Sequence, residues 1–248
     1  MLDPLFDDLT DAYEAVIDWP KRLAREEPFY RRLFAESNVQ SVVDTACGTG
    51  RHAALFHSWG LRVEGADLSP RMIQRCRRDF GEPEGLHWTV RGFDEPITSG
   101  PWDAALCVGN SLALAPDRAT VQRAVAAMSD AVSAGGLLLV QVLNLWPLAD
   151  GPCVWQKCRR TTLPQGEVLI LKGVHRSGNR GYVEFVVTDL AGGVRMQAES
   201  IPFLGLEAAD LQQMVLDAGF RQVSLRGGCG DPPYQRPSSV DLVVVARK

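Results

Sequence analysis

The segment VVDTACGTGRHAA, residues 42–54, constrains this chain's fold more than any other stretch. An apolar strand over Ser41–Thr45 carries Asp44 near its end, passes into a glycine turn, and is followed by a helix over Arg51–Trp59. Gly48 and Gly50 can take dihedrals that other residues avoid, and they let a ligand approach the backbone. The helix N-terminus that follows offers N–H groups with no helical partner. The third glycine of a dinucleotide fingerprint is absent, because Ala53 stands in its place. A nicotinamide-binding fold therefore fits poorly.

The segments around this turn repeat a βαβ rhythm. Strands are expected at Leu61–Ala66, Leu86–Val90, Trp102–Val108 and Leu137–Leu143. Between them the spacing predicts a helix over Pro70–Phe80, with Pro near its first turn, and another over Asp117–Val132, stopped by Gly135 and Gly136. This alternation predicts a doubly wound parallel sheet with right-handed crossovers. Ahead of it, residues 1 to about 37 look helical, with Pro20 and Pro28 breaking the stretch into short pieces.

After the fifth strand the period changes. Val168–Val174, Tyr182–Leu190 and Val194–Ile201 read as antiparallel strands separated by SGNRG and AGG turns. The helical period then returns over Glu207–Ala218, and Gln222–Leu225 and Val240–Val245 close the chain, making seven core strands. Three segments result: a ligand-binding core at 1–149, an antiparallel insertion at 150–205, and the rest of the core at 206–248. The insertion leaves from the carboxyl end of a strand, where open α/β sheets bind ligands, so it is expected to act as a lid.

Composition narrows the function. The net charge is -4, and no run of five or more like charges occurs, which argues against a nucleic-acid surface. Arg71, Arg75, Arg77 and Arg78 read as one solvated helix side. No apolar stretch approaches the ~20 residues of a membrane span. The six cysteines form no CxxC pair and no zinc spacing, so no metal is expected. With no signal peptide legible, free thiols point to the cytoplasm.

Three further features accompany the glycine turn. Asp67 ends the second strand, 23 residues beyond Asp44, where a carboxylate can accept both hydrogens of a ribose diol. Phe93 and Asp94 follow the third strand, an arrangement suited to stacking on adenine and receiving its amino group. The segment CVGNSLALA ends the fourth strand.

Taken in order, DTACGTG, VEGADLS and WDAALCVGNSLALAP resemble the class I S-adenosylmethionine-dependent methyltransferases. The fourth-strand segment and the N-terminal YEAVIDWPKRLAREEPF are similar to the small-molecule branch that includes glycine and sarcosine N-methyltransferases. The resemblance implies a Rossmann-like sheet of seven strands and S-adenosyl-L-methionine as cofactor, with S-adenosyl-L-homocysteine as product. It implies a small-molecule acceptor, by analogy an amine or amino-acid nitrogen, with oxygen or sulfur acceptors also open. An RNA or protein methyltransferase, and a cofactor-binding homologue without transferase activity, are the competing readings. Oligomeric state is not legible.

Carried over, Tyr13, Trp19 and Arg22 would enclose the cofactor, with Arg22 on its carboxylate. Asp44, Ala46, Gly48 and Gly50 would border its methionine end, Asp67 and Leu68 its ribose, and Phe93 and Asp94 its adenine, with Val108 beside it. Asn110 would border the reacting methyl. Plainer roles compete: Asp67 as a helix cap, Asp94 as a turn acid before Pro96, Arg22 as a solvated residue, Tyr13 as core and Asn110 as a strand-end ligand. GDPPYQR, residues 230–236, contains the Asp-Pro-Pro-Tyr of amino-methyltransferases acting on nucleic acids or glutamine, but after the wrong strand. It reads as a rigid loop that can still offer Tyr234 to the reacting centre and Arg236 to the acceptor. His175, Arg176 and Tyr182 are acceptor candidates in the insertion, and His52 and His57 read as helix surface.

Overall fold

The structure, a computed structural model, describes residues 10–164, 166–190, 196–230 and 232–248. The N-terminal segment forms α1 (Thr10–Val16) and α2 (Trp19–Glu36). Pro20 sits in the first turn of α2, where its missing N–H costs nothing, but Pro28 lies inside the helix and does not break it. An interior proline costs about 3 kcal/mol. Burial of Phe29, Tyr30, Leu33 and Phe34 on the following two turns offsets that cost. Tyr30 and Phe34 each pack edge-on against Phe56, with ring centroids 5.1 Å apart.

The core alternates β1 (Ser41–Asp44), α3 (Arg51–Ser58), β2 (Arg62–Asp67), α4 (Pro70–Phe80), β3 (Leu86–Val90) and β4 (Trp102–Cys107). It continues through a 3-10 turn (Ser111–Leu114), α5 (Arg118–Ala131) and β5 (Val132–Leu143). Ser69 caps α4 and Asp117 caps α5 through side-chain acceptors. The expected glycine stop after α5 is placed differently: the helix ends at Ala131 and the strand starts at once. The pairing with β4 shifts between Trp102↔Val132 and Ala104↔Leu137. Gly136 sits in that irregularity, where a Cβ would come within 2.6 Å of Val132 Cγ1.

The insertion supplies β6 (Val154–Leu163), β7 (Gly166–Ser177), β8 (Arg180–Asp189) and β9 (Met196–Leu204). The chain then returns through α6 (Ala208–Asp217), β10 (Gln222–Arg226) and β11 (Asp241–Arg247). The first two residues of the expected strand Val194–Ile201, the AGG turn and Asp231 of GDPPYQR lie outside the described residues.

One sheet expectation needs correction. The core sheet has seven strands in the order β10-β11-β5-β4-β1-β2-β3, but it is mixed rather than parallel. β11 runs antiparallel to both β5 and β10. Among the described residues, the loop joining β10 to β11 carries no crossover helix, and neighbouring strands joined without one pair antiparallel. The insertion, as expected, is antiparallel, and it forms its own four-stranded sheet, β6-β7-β8-β9. Both edges of β5 are already taken by β4 and β11, so the strands that follow pair with one another. β6 escaped the sequence reading because it is a sheet edge, exposed without interruption from Val154 to Arg160, and has no alternating pattern.

Apolar clusters fill both faces of the core sheet. α5 and α6 cover one face, with Met128, Val125 and Val215. α2, α3 and α4 cover the other, with Phe29, Tyr30, Phe56 and Ile73. A third cluster joins the second sheet, through Val168, Ile170 and Phe185, to Ala12 and Val16 of α1. On α4, Arg75 is not simply solvated, for it bridges Asp11 and Asp79 at 2.7 Å each.

Candidate functional site

β4 and β2 flank β1 on its two sides, so the chain direction switches at β1, and open α/β sheets bind ligands at such a point. Past Asp44 the backbone still bonds to both neighbours, Thr45 N to Leu106 O and Cys47 N to Ala66 O, each at 2.8 Å. The glycine turn therefore emerges rigidly at the carboxyl edge. Beside it lies a cavity of about 890 Å³.

The two glycines of the turn divide the work. Gly48 lines the cavity with φ +55, and a Cβ built on it would meet nothing within 4 Å. Gly50 is turned away from the cavity. Its Cβ would lie 2.7 Å from the Trp88 ring and 2.8 Å from Cys76 Sγ, so this glycine serves close packing rather than ligand contact. Glu14 of α1 clasps the same turn, accepting from Thr49 Oγ1 at 2.7 Å and Arg51 Nε at 2.8 Å.

Two carboxylates face the cavity from the ends of β1 and β2. Asp67 accepts from Gly48 N at 2.8 Å and Ser69 N at 3.0 Å, which fixes its orientation, while Ser69 itself caps α4. Asp44 accepts from Ala46 N at 3.3 Å, but its Oδ2 is buried with no protein partner. Burial, reinforced by the charge of Asp67, pushes the Asp44 carboxyl up to about 7 against the opposing Ala46 N–H and Arg22.

Arg22 reaches the cavity from α2. Its Nε donates to Glu26 Oε1 at 3.0 Å, and its guanidinium lies 5.1 Å from the centroid of Trp19. Glu26 is only 1% exposed and also contacts His52 Nε2 at 2.8 Å. Burial alone would raise Glu26, yet His52 and Arg22 together bring it down to about 2. Burial lowers His52, so the neutral ring donates its Nε2–H to Glu26. His52 is thus not helix surface, as its sequence position had implied. It ties α3 to the helix that carries Arg22.

Among the other expected cofactor residues, Tyr13, Trp19, Ala46, Leu68, Phe93 and Val108 line the cavity. Asp94 does not. Its carboxylate receives Arg123 Nη2 at 2.9 Å outside the wall. Asn110 does line the cavity, but its Oδ1 accepts from Leu143 N at 2.8 Å, the plainer strand-end role.

The expected acceptor residues all fall outside the wall. Tyr234 donates its hydroxyl to Asn144 Oδ1 at 2.9 Å, and Asn144 in turn holds the carbonyls of Arg236 and Ser239, so Tyr234 pins its own loop. Arg236 pairs with Glu207 at 2.8 Å over the Trp146 ring. Arg176 donates to Leu148 O at 2.8 Å. His175 and Tyr182 stack on each other at 4.8 Å, on the second sheet's outer face. The inner face belongs to the opposite phase: Lys172 and Val174 of β7, in register with Phe185 and Val183 of β8, line the cavity. Side chains alternate faces along a strand, so adjacent positions lead to opposite surfaces.

Sequence reading also missed Gln141 and Asp241 in the cavity wall. Both lie in runs scored as buried strand, and their polar character was the available signal. Burial lowers the proton affinity of Lys172, with Arg22 and Lys157 adding to the effect. Among the described residues, no three or more His, Cys, Asp and Glu side chains group as a metal site, and no helix is long and apolar enough to cross a membrane.

Comparison with known proteins agrees with the motif resemblance. Residues 42–136 match the methyltransferase-domain family. The chain is 31% identical over 148 residues to a glycine/sarcosine N-methyltransferase of Parasynechococcus marenigrum, an overlap covering 58% of this chain and 52% of that protein. It is 29% identical over 143 residues to human glycine N-methyltransferase, covering 51% and 48% of the two chains. The chain thus spans about half the length of these curated relatives. The fold matches over more of its length. A sugar N-methyltransferase from Streptoalloteichus superposes with a TM-score of 0.72 at 24% identity, over 91% of this chain and 87% of that one. DesVI of Streptomyces venezuelae superposes with a TM-score of 0.75 at 21% identity, over 99% and 98%.

Proposed function

We propose that this protein is an S-adenosylmethionine-dependent methyltransferase acting on a small molecule, with an amine nitrogen as the preferred target. The observation that carries the reading is the pair of carboxylates at the ends of β1 and β2, one of them with a buried unpartnered oxygen, beside the open Gly48 turn. An acceptor-only carboxylate oxygen suits an ammonium, a strand-end Asp suits a ribose diol, and a guanidinium suits a carboxylate. Asp44, Asp67 and Arg22 thus fit the amino-acid and ribose groups of the cofactor. The methyltransferase-domain match over these residues supports the same reading.

The cofactor supplies a methyl group already activated on a sulfonium, so the protein's task is binding, orientation and exclusion of water. Asp67 orients the nucleoside end, and Glu26 with His52 holds Arg22 in place. The second sheet serves as the acceptor-side lid, presenting Lys172, Val174, Val183 and Phe185 to the cavity. The nitrogen preference follows the two relatives described above, both of them N-methyltransferases.

Calorimetric titration with S-adenosylmethionine and S-adenosylhomocysteine tests the reading. Binding in the micromolar range is expected. Asp67→Ala should weaken it roughly ten- to hundredfold, because a charged hydrogen-bonding group worth about 1.5–3 kcal/mol is removed. A folded wild-type protein that binds neither compound overturns the assignment.

A further inference from the structure

Asp241 opens β11 and pairs in register with Leu143 at the end of β5, so it stands on the same carboxyl rim as the glycine turn. It shares a strand face with Val243 and Val245, which pack against Phe29 and Tyr30 of α2. Gln141 aims it. The Gln141 Nε2 donates to Asp241 Oδ2 at 3.0 Å, while its Oε1 accepts from Gly109 N at 3.4 Å. Asn110 N, donating to Gln141 O at 3.1 Å, fixes the backbone beneath.

The charged and titratable groups facing Asp241 are Arg22, Arg25 and Glu26 of α2 and the Cys229 thiol. Both arginines donate to Glu26 Oε1, at 3.0 and 3.4 Å. Among the described residues, no cation pairs with Asp241 itself and no donor but Gln141 reaches its carboxylate. Burial correspondingly raises its proton affinity, against the Gln141 bond and the two guanidinium charges. Asp241 nevertheless lines the cavity. Nor does it belong to the diol site: four strand steps separate β11 from β2, roughly 19 Å at about 4.8 Å per step.

We propose that Asp241 is an ammonium-capture site, where a carboxylate aimed by Gln141 receives the amine of a cavity ligand and takes one of its protons. In that transfer the ammonium N–H bond breaks, an O–H bond forms on Asp241, and the electron pair stays on nitrogen as its lone pair. The charges of both partners are neutralised together, which suits a desolvated cavity. The identity of the ligand rests on the methyltransferase reading, and two sources offer this group: a methyl acceptor and the amino-acid end of the cofactor.

Carbon-13 NMR of protein labelled at the aspartate carboxyl tests this, with the Asp241 resonance assigned by its absence in Asp241→Asn. Methylammonium, glycine and sarcosine are titrated against methanol and glycolate, with and without saturating S-adenosylhomocysteine. An amine ligand should move the Asp241 resonance toward its protonated position and raise its titration midpoint, whereas the hydroxyl compounds should leave both in place. Asp241→Asn should weaken amine binding roughly tenfold or more, and Asp241→Glu should restore part of it. A response to S-adenosylhomocysteine but not to methylthioadenosine, which lacks the amine, assigns the capture to the cofactor. A response to added amines in the saturated protein assigns it to the acceptor. Silence toward every ammonium in protein that binds S-adenosylhomocysteine would falsify the proposal. Failure to bind S-adenosylhomocysteine sinks the methyltransferase reading instead, and the Asp241 response to free amines still decides the capture site.

Discussion

The turn after β1 and the inner face of the second sheet both wall the same cavity, but they are built on different principles. In the turn, backbone N–H groups hold the Asp67 side chain, and Asp44 is fixed through Ala46 N. Geometry there is dictated by main chain and glycine. The second sheet presents Lys172, Val174, Val183 and Phe185 from regular antiparallel strands whose backbone bonds are satisfied by one another. What it shows the cavity depends on side-chain identity alone. The turn should therefore be intolerant of small changes, whereas the second sheet should accept substitution and alter only what the cavity admits.

The largest expected effect is in the turn. Gly50→Ala forces a Cβ into the Trp88 ring and Cys76 at a left-handed backbone position, and should destabilise the fold by about 3 kcal/mol in urea titration. Gly48→Ala meets open space, so it should cost only about 1 kcal/mol of stability while lowering cofactor affinity more. Equal tolerance at both positions would break the contrast between a packing glycine and a ligand-facing one.

Asp44 sharpens the comparison through protons. Folding raises its carboxyl from 3.8 to about 7, so the stability it contributes is full below the lower value and is lost as pH rises through the upper one. A ligand ammonium beside it reverses that shift. Cofactor binding at pH 7 should then release about half a proton, seen by calorimetry in buffers of differing ionisation enthalpy. The release should vanish in Asp44→Asn.

In the second sheet, Lys172→Met should raise stability by about 1 kcal/mol or less at neutral pH, since a half-buried ammonium is removed. Burial lowers the Lys172 proton affinity, so wild type carries this penalty below the lowered value, and the difference should shrink as pH approaches the ordinary lysine value of 10.5. S-adenosylhomocysteine affinity should stay within about twofold. The smallest effect is expected from Tyr182→Leu on the outer face, which should leave both ligand affinities unchanged. A large loss there would mean that the sheet faces are assigned backwards.

This division explains what the amino-acid sequence disclosed. The βαβ rhythm and the Asp44–Asp67 spacing were legible because each follows from local backbone chemistry. The reversed β11 was less so, although the helix-free loop before it held the clue. The cavity face of the second sheet was illegible for a different reason. Nothing in a hairpin's own residues says which of two alternating faces will meet the rest of the protein, and polar character drew attention to His175 and Tyr182 on the outer one. Tyr234 misled similarly: it offered a reactive group and spends it on holding its own loop.

The helix-free return from β10 to β11 has a consequence for how such a protein can diversify. A crossover helix must keep its length and its packed face, but a loop closing an antiparallel pair can gain or lose residues with little disturbance to the sheet. This loop leads directly into Val240 and Asp241 at the cavity mouth. Its far end is pinned through Tyr234 and Asn144 rather than through the glycine turn. Selection can therefore rewrite the entrance by insertion and deletion while inheriting the glycine turn intact, as though lock and key-guard were kept on separate parts.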